Sequence, residues 1–212
     1  MYVLTVDQRG STRHGDRVPQ VLALIGEVTR GRDGVVRVFG RTVGDEIQGV
    51  LDDAALVVDV VLELLRDEGW SVGLGVGAVD EPLPAESREA SGDAFVRARA
   101  AVERAKTRPK GSSVAVEGGT ARAEEVEALL RLLGAIRSKR TSAGWEITDT
   151  LASLLAEGRS AAQKDAAAAL GISEQAVSQR VRTALWHEEQ AVLPVVVRLL
   201  AALDDGTTEG AG

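Results

Sequence analysis

The sequence changes its periodicity at Gly118-Gly119, and this change limits the folds that the chain can adopt. Before it, short runs rich in β-branched residues alternate with segments of helical spacing, in the order β-α-β-β-α-β-α-β. After it, only helical spacing recurs. We therefore predict an α+β fold, with one mostly antiparallel sheet and its helices on one face, followed by an all-α domain. The domains would span residues 1–119 and 120–204, and the small, polar residues 205–212 would form a disordered tail.

Composition restricts the chemistry of the chain. Hydrophobic residues make up 44% of the chain but aromatic residues only 3%, so Val, Leu and Ala must build the core. The chain has no cysteine, which excludes disulfides and thiolate metal sites and is consistent with a reducing cytoplasm. No apolar run is long enough to cross a membrane, and we predict a cytoplasmic protein. The net charge of −7 gives no general attraction to nucleic acid, so DNA binding would require clustered basic residues.

Local patterns predict the individual elements of the first half. Strands are predicted where β-branched and aromatic residues cluster, at Tyr2–Val6, Val35–Phe39, Asp45–Leu51, Trp70–Val79 and Ser113–Val116. Helices are predicted where apolar residues recur at intervals of three and four, at Pro19–Thr29, Ala54–Asp67 and Ala90–Thr107. The second and third strands would form a hairpin around Gly44-Asp45.

The second half is predicted to contain helices alone. Their predicted ranges are Ala123–Thr141, Ser142–Glu157, Ala161–Leu170, Ser173–Trp186 and Glu188–Leu203. Pro194 lies within the last of them. Because proline lacks an N–H and its ring clashes with the preceding turn, we expect it to kink or divide that helix.

Two aspartates stand at the ends of predicted strands, Asp7 in VDQRGST and Asp45 in RTVGDEIQG. Carboxylates on adjacent strands can hold Mg²⁺ ions, which neutralise a triphosphate and activate an attacking hydroxyl. Backbone N–H groups of a glycine-containing turn can cradle phosphate oxygens. The turn after Asp7 consists of Arg9, Gly10, Ser11 and Thr12. Alternatively, Asp7 caps this turn or pairs with a neighbouring arginine. Glu46 would point away from Asp45 on the strand and be solvated.

Four segments of the first half, in order, resemble the catalytic domain of class III nucleotidyl cyclases and, more distantly, GGDEF domains. They are VDQRGST, RTVGDEIQGVL, VGLGVGAV and SGDAFVRARAAVERA. The resemblance implies a ferredoxin-like antiparallel sheet, metal ligands at Asp7 and Asp45, and nucleotide phosphates at the turn of residues 9–12. Arg41 falls where the family places a base-contacting residue. Mg²⁺ with a nucleotide is the cofactor that this resemblance implies.

The late helix departs from the cyclase pattern at two catalytic positions. The family places Asn and Arg where this sequence has Val96 and Ala100. Arg99 stands one residue early, which turns it about 100° around a helix. An arginine that stabilises a pentavalent transition state supplies charge that matters most there. The departures therefore predict a binding site, or the remnant of one, in place of a working cyclase.

Residues 163–185, QKDAAAALGISEQAVSQRVRTAL, have the pattern of a helix-turn-helix. Gly171 permits the turn, and Ser173 can cap the second helix. Val177 and Val181 lie four residues apart and would face inward. The opposite face carries side chains that can read base edges or contact phosphates, namely Gln175, Ser178, Gln179 and Arg182. A helical hairpin used for packing or dimerisation would show the same pattern.

Charge and oligomeric state bear on DNA binding. Acidic residues outnumber basic ones between Ser160 and Gln190, so a single module would bind DNA weakly. The segment Arg137-Ser138-Lys139-Arg140 could add a basic patch. A homodimer would double every contact, and cyclase domains form head-to-tail dimers. The apolar last helix, VLPVVVRLLAAL, could pair with its copy or pack against the helix-turn-helix.

The whole arrangement also resembles the SatD family of bacterial proteins, over most of the chain. This resemblance implies a regulatory role without a defined ligand. We therefore expect a DNA-binding transcriptional regulator whose catalytically degenerate cyclase-like domain dimerises or senses a nucleotide. An effector could regulate it only by binding one dimer arrangement better than another. The alternatives are a metal-dependent enzyme acting on nucleotides and a protein-interaction module.

Overall fold

The computed structural model describes residues 1–84 and 89–208, with side chains described as far as Asp204. The strands are β1 (Tyr2–Gln8), β2 (Val35–Arg41), β3 (Glu46–Leu51), β4 (Trp70–Val76) and β5 (Val114–Glu117). The helices of the first half are α1 (Ser11–His14), α2 (Val18–Thr29), α3 (Ala54–Asp67) and α4 (Asp93–Lys106). Those that follow are α5 (Arg122–Arg137), α6 (Ser142–Ala156), α7 (Ala162–Leu170), α8 (Glu174–Thr183) and α9 (Trp186–Thr208).

The strands form one mixed sheet in the order β2-β3-β1-β4-β5. β1 pairs antiparallel with both β3 and β4, and β2 pairs antiparallel with β3. β5 runs parallel to β4 because α4 crosses between them. The predicted α+β class and the mostly antiparallel sheet are confirmed. β4 ends at Val76, before its predicted end at Val79.

Helices cover both faces of the sheet. Tyr2, Leu4 and Val6 of β1 point into the main hydrophobic core with residues of α2 and α3. Val3, between them, points to the other face and packs with Ala94 and other residues of α4. Successive strand residues point to opposite faces, so α4 lies opposite α2 and α3. The prediction that the helices share one face is therefore wrong.

Glycines on β4 allow α4 to lie directly against the sheet. A Cβ added at Gly73 would be 2.4 Å from the carbonyl oxygen of Ala98, and one at Gly75 would be 2.1 Å from that of Ala94. Such contacts are far closer than side chains allow. The alternation of glycine along VGLGVGAV therefore has a packing cause, and it identifies which face α4 covers.

The helices after β5 divide between two hydrophobic clusters. Residues of α5 and α9, including Leu130 and Leu200, belong to the main core with the sheet. Residues of α6, α7 and α8 form a smaller cluster around Ile147, Val177 and Val181. Helices α5 and α9 thus share a core with the first half. The predicted domain boundary between residues 119 and 120 stays a prediction.

Helix α9 is longer than predicted. It runs as one helix through Pro194, which does not divide it. Its backbone stays helical to Thr208, so residues 205–208 extend it where a disordered tail was predicted. The rest of the predicted tail, residues 209–212, lies outside the described residues. Among the residues that the structure describes, no helix combines the length and apolarity needed to cross a membrane.

Candidate functional site

The end of β1 brings a polar cluster onto the face that α4 covers. Asp7 lies opposite Glu46 of β3 and Ser71 of β4 in the sheet register. Cross-strand partners share a face of the sheet. Lys106, in the last turn of α4, places its Nζ 3.1 Å from Oδ2 of Asp7. The first predicted metal ligand therefore has a cationic partner within its own chain.

Electrostatics at Asp7 follow from burial and from this partner. Burial raises the pKa of Asp7 above its ordinary value; the Lys106 ammonium opposes the increase, and the charges of Asp45 and Glu46 add to it. Burial alone would lower the pKa of Lys106, but Glu103 and Asp7 outweigh it, so that pKa is raised. The ammonium stays charged at neutral pH and lies against the carboxylate of Asp7.

Glu46 belongs to this cluster, and the prediction that it is solvated is wrong. Its side chain is 14% exposed and lies 3.6 Å from the guanidinium of Arg99. The hydroxyl of Thr42 also donates to it at 2.6 Å. β3 begins at Glu46, so Asp45 belongs to the preceding turn and the alternation assumed between the two residues does not apply. The strand register, which the sequence alone did not give, places Glu46 directly opposite Asp7 on the neighbouring strand.

Asp45 and Arg41 lie at the tip of the β2–β3 hairpin. Asp45 is close enough to Asp7 for its charge to raise the pKa of that carboxyl. Arg41 donates to the carbonyl of Gly44 at 2.6 Å and to the carboxylate of Asp16 at 2.5 Å. Hydrogen bonds from the Val18 N–H and from Arg41 lower the pKa of Asp16. Arg41, the predicted base-contacting residue, is thus held by acceptors of its own chain.

The Mg²⁺ site at Asp7 and Asp45 stays a prediction. Together with Glu46, these residues could supply the carboxylate oxygens that Mg²⁺ prefers. Within the described residues, however, no three acidic or histidine side chains form a group suited to hold a metal ion. A metal at Asp7 would also have to displace the Lys106 ammonium, so its binding would carry an added electrostatic cost.

The turn after Asp7 leads into a short helix and is held by hydrogen bonds from Arg9. Gly10 has a φ of 70°, which glycine adopts at little cost, and Ser11 begins the short helix α1. Arg9 donates to the hydroxyl of Ser71 at 3.2 Å and to the carbonyl of Arg108 at 3.1 Å. Three of the four residues predicted to bind phosphate line one pocket: Arg9, Gly10 and Thr12.

A groove of about 780 Å³ lies between α4 and the β2–β3 hairpin. Val96 and Ala100, which the sequence resemblance aligns with the Asn and Arg of cyclases, line it. Val96 is 71% exposed, so this position is open but chemically inert. Arg99 also lines the groove, and its guanidinium lies 3.6 Å from the carboxylate of Glu46.

Helices α7 and α8 and the short turn between them make up the α7–α8 unit, in the segment that the sequence predicts to be a helix-turn-helix. Gly171 ends α7 in the left-handed conformation, with φ 63°. The Ser173 side chain caps α8 by accepting the N–H of Ala176 at 3.2 Å. Val177 and Val181 are buried in the small cluster with α6. The residues predicted to contact DNA are all exposed on the opposite side of α8, namely Gln175, Ser178, Gln179 and Arg182.

A cluster of charged side chains around the buried Glu189 joins α6, which shares its core with this unit, to the rest of the chain. Glu189 of α9 is 1% exposed and binds two arginines, Arg137 at 2.8 Å and Arg140. Arg66 of α3 lies 4.0 Å from the centre of the Trp145 ring and donates to both carboxylate oxygens of Asp149 on α6. These contacts join α3, α5 and α9 to α6.

Sequence reasoning missed this cluster and assigned Arg137 and Arg140 to a basic patch. Both arginines are instead committed to Glu189. One signal was present in the sequence. Glu189 continues the apolar stripe of α9 at intervals of four and three residues, followed by Leu193, Val196, Leu200 and Leu203. A charge in line with buried residues requires a buried partner.

Comparisons with known proteins found no relatives. A scan against protein-family models, a search of curated proteins and a search of solved structures each returned no match.

Proposed function

We propose that this protein binds duplex DNA through helix α8 and acts as a transcriptional regulator. One observation carries the proposal. On α8, the residue types suited to base and phosphate contacts are exposed together, while Val177 and Val181 fix the opposite face in a core. A helix used only for packing also exposes a polar face. The support therefore lies in the residue types on this face, which are glutamine, serine and arginine, and in the fact that the described parts of the chain leave them open.

The side chains on this face suggest separate roles. Gln175 and Gln179 suit the paired donor and acceptor of adenine, and Arg182 suits guanine or a phosphate. Arg180 is different, since it pairs with Glu146 of α6 at 2.8 Å and helps to hold α8 in place. Because few cations lie on α8, affinity would be modest for one chain. A homodimer, which doubles these contacts, is part of the proposal.

The sheet region is proposed to be a catalytically degenerate cyclase-like domain that dimerises or senses a nucleotide. The antiparallel order of β1 to β4 and the position of Asp7 beside the β2–β3 hairpin support this likeness. The Lys106 partner of Asp7 and the inert Val96 and Ala100 favour a regulator over the metal-dependent enzyme. Membership of the SatD family is proposed on the same grounds.

Fluorescence anisotropy tests the DNA-binding proposal. Duplexes would first be selected from a random library with the purified protein, and the best one labelled. Arg182→Ala should weaken binding by about 1–3 kcal/mol, or roughly 5- to 150-fold. Arg198→Ala, at another exposed arginine, on α9, serves as the matched control and should bind as the wild type does. Equal affinity of wild type and Arg182→Ala would remove α8 as the recognition helix.

A further inference from the structure

A basic pocket opens at the end of the sheet where the β1–α2 loop, the α3–β4 turn and the α4–β5 loop meet. Its volume is about 590 Å³, within the range of pockets that hold small ligands. Its lining includes four basic side chains, Arg9, Arg13, Arg17 and Lys110, and two carboxylates, Asp67 and Glu68. The surplus is positive, although the chain as a whole has a net charge of −7.

The two carboxylates do not neutralise the pocket equally. Asp67 accepts two hydrogen bonds from Arg17 at 2.8 Å and one from the Trp70 indole at 2.7 Å. Its charge is therefore committed to the wall of the pocket. Glu68 is the other carboxylate of the lining, which also contains Arg9, Arg13 and Lys110.

Three of the cations lack an acidic partner within the described residues. Arg9 is held by neutral acceptors, the Ser71 hydroxyl and the Arg108 carbonyl, which orient its guanidinium without cancelling its charge. Arg13 and Lys110 are exposed, and no described carboxylate lies within 4.0 Å of either. Like charges gathered in a concavity lower the cost of binding an anion there, because the anion relieves their repulsion.

We infer that this pocket binds a small polyphosphate anion without the help of a divalent metal. Guanidinium groups match the oxygens of a phosphate in pairs, and an ammonium adds a mobile point charge. Arg9, Gly10 and Thr12 come from the turn predicted to cradle phosphate, whereas Arg13, Arg17 and Lys110 were not predicted. Asp7 and Asp45 do not line this pocket. The inference does not depend on DNA binding, and either can fail alone.

The shape and charge of the pocket favour a compact anion over a nucleic acid strand. A small polyphosphate places several charges within one concave pocket. A strand would extend beyond it and leave most of its phosphates outside. The test therefore compares inorganic triphosphate, ATP and a single-stranded oligonucleotide. Equal affinity for triphosphate and ATP would show that the phosphates alone are recognised, and tighter ATP binding would add a nucleoside contact; both outcomes support the inference.

Isothermal titration calorimetry of the full chain in EDTA is the decisive experiment. Triphosphate should bind, and Arg13→Ala and Lys110→Ala should each weaken it about tenfold, as expected for a lost charged hydrogen bond. Arg30→Ala, an exposed arginine outside the pocket, is the matched control. Because all three substitutions are at the surface, circular dichroism should report an unchanged fold.

Three outcomes would overturn the inference. The first is absence of heat with triphosphate and with ATP in the folded protein. The second is binding that requires Mg²⁺ and is lost in Asp45→Ala, which would assign the anion to the carboxylates of the sheet. The third is an oligonucleotide that binds more tightly than triphosphate and responds to the same substitutions, which would make the pocket part of a nucleic acid surface.

Discussion

Charged side chains at the end of β1 form ion pairs within the chain, whereas polar side chains on the outer face of α8 are exposed to solvent. At β1, Asp7 is paired with Lys106 and Glu46 with Arg99. On α8, Gln179 and Arg182 are exposed to solvent. Both regions contain residue types that a functional site would need. The difference shows that a motif indicates which side chains are present, whereas the surrounding fold decides whether a partner inside the chain already occupies them.

The two regions also differ in how they are supported. The β1 end lies between strands on both sides and beneath α4, so its register is fixed by the sheet. The α7–α8 unit shares a small core with α6, and α6 is joined to the rest of the chain through the Glu189 cluster. Substitutions in the Glu189 cluster should therefore lower the free energy of unfolding more than substitutions of any exposed residue of α8.

The largest expected effect is at the attachment itself. Glu189→Ala leaves Arg137 and Arg140 side by side without their buried anion. Breaking such a pair costs about 3–5 kcal/mol of unfolding free energy, which urea denaturation would measure. Glu188→Ala, at the exposed neighbouring position, should change stability by about 0.5 kcal/mol or less. If the two variants were equally stable, the Glu189 cluster would contribute no measurable stability, which would contradict its role in attaching the helices.

A second substitution separates α4 from the sheet. Gly75→Val places side-chain atoms where the backbone of Ala94 and Ala98 lies, within 2.3 Å. Overpacking of this kind costs about 1–3 kcal/mol, and it should also pull Lys106 away from Asp7. Gly26→Ala in α2 is the control, because a Cβ there has open space and alanine favours helix. If thermal unfolding showed the same stability for Gly75→Val and Gly26→Ala, the close packing of α4 against the sheet would be contradicted.

The smallest effect concerns Asp7 and depends on pH. Because its pKa is raised in the folded state, Asp7 favours folding most below its unfolded pKa of 3.8 and loses this contribution as pH rises through the folded pKa. Asp7→Asn should therefore equal or exceed the wild type in stability at neutral pH, by about 1 kcal/mol at most since the group is partly solvated. The advantage should vanish at acid pH. A stability loss at neutral pH would mean that the pair with Lys106 outweighs burial.

Local patterns in the sequence were sufficient for the class of fold and for most elements. A run of β-branched and aromatic residues predicted β1, and the turn residues around Gly44 predicted the hairpin, because both depend on neighbours in the chain. The side of the sheet that α4 covers was predicted wrongly. The face that α4 covers depends on its close packing against Gly73 and Gly75. The sequence contains these glycines but does not show which helix packs against them.

The candidate sites were predictable to different degrees for the same reason. The exposed residues of α8 follow from helical periodicity alone, and Gln175, Ser178, Gln179 and Arg182 are exposed as a set. The partners of Asp7 do not follow from the sequence, since Glu46 and Lys106 reach it through register and through a crossover helix. Long-range pairs of this kind require the three-dimensional structure.

Site-directed DNA cleavage tests the central claim most directly. The chain has no cysteine, so a single cysteine can carry a DNA-cleaving iron chelate at a chosen position. Ser178→Cys places the chelate on α8, and Val43→Cys, at a position that is 79% exposed, places it on the β2–β3 hairpin. On a selected duplex, the α8 probe should cut at one localised site and the hairpin probe should cut weakly or not at all. Localised cutting from the hairpin, with none from α8, would contradict DNA binding through α8.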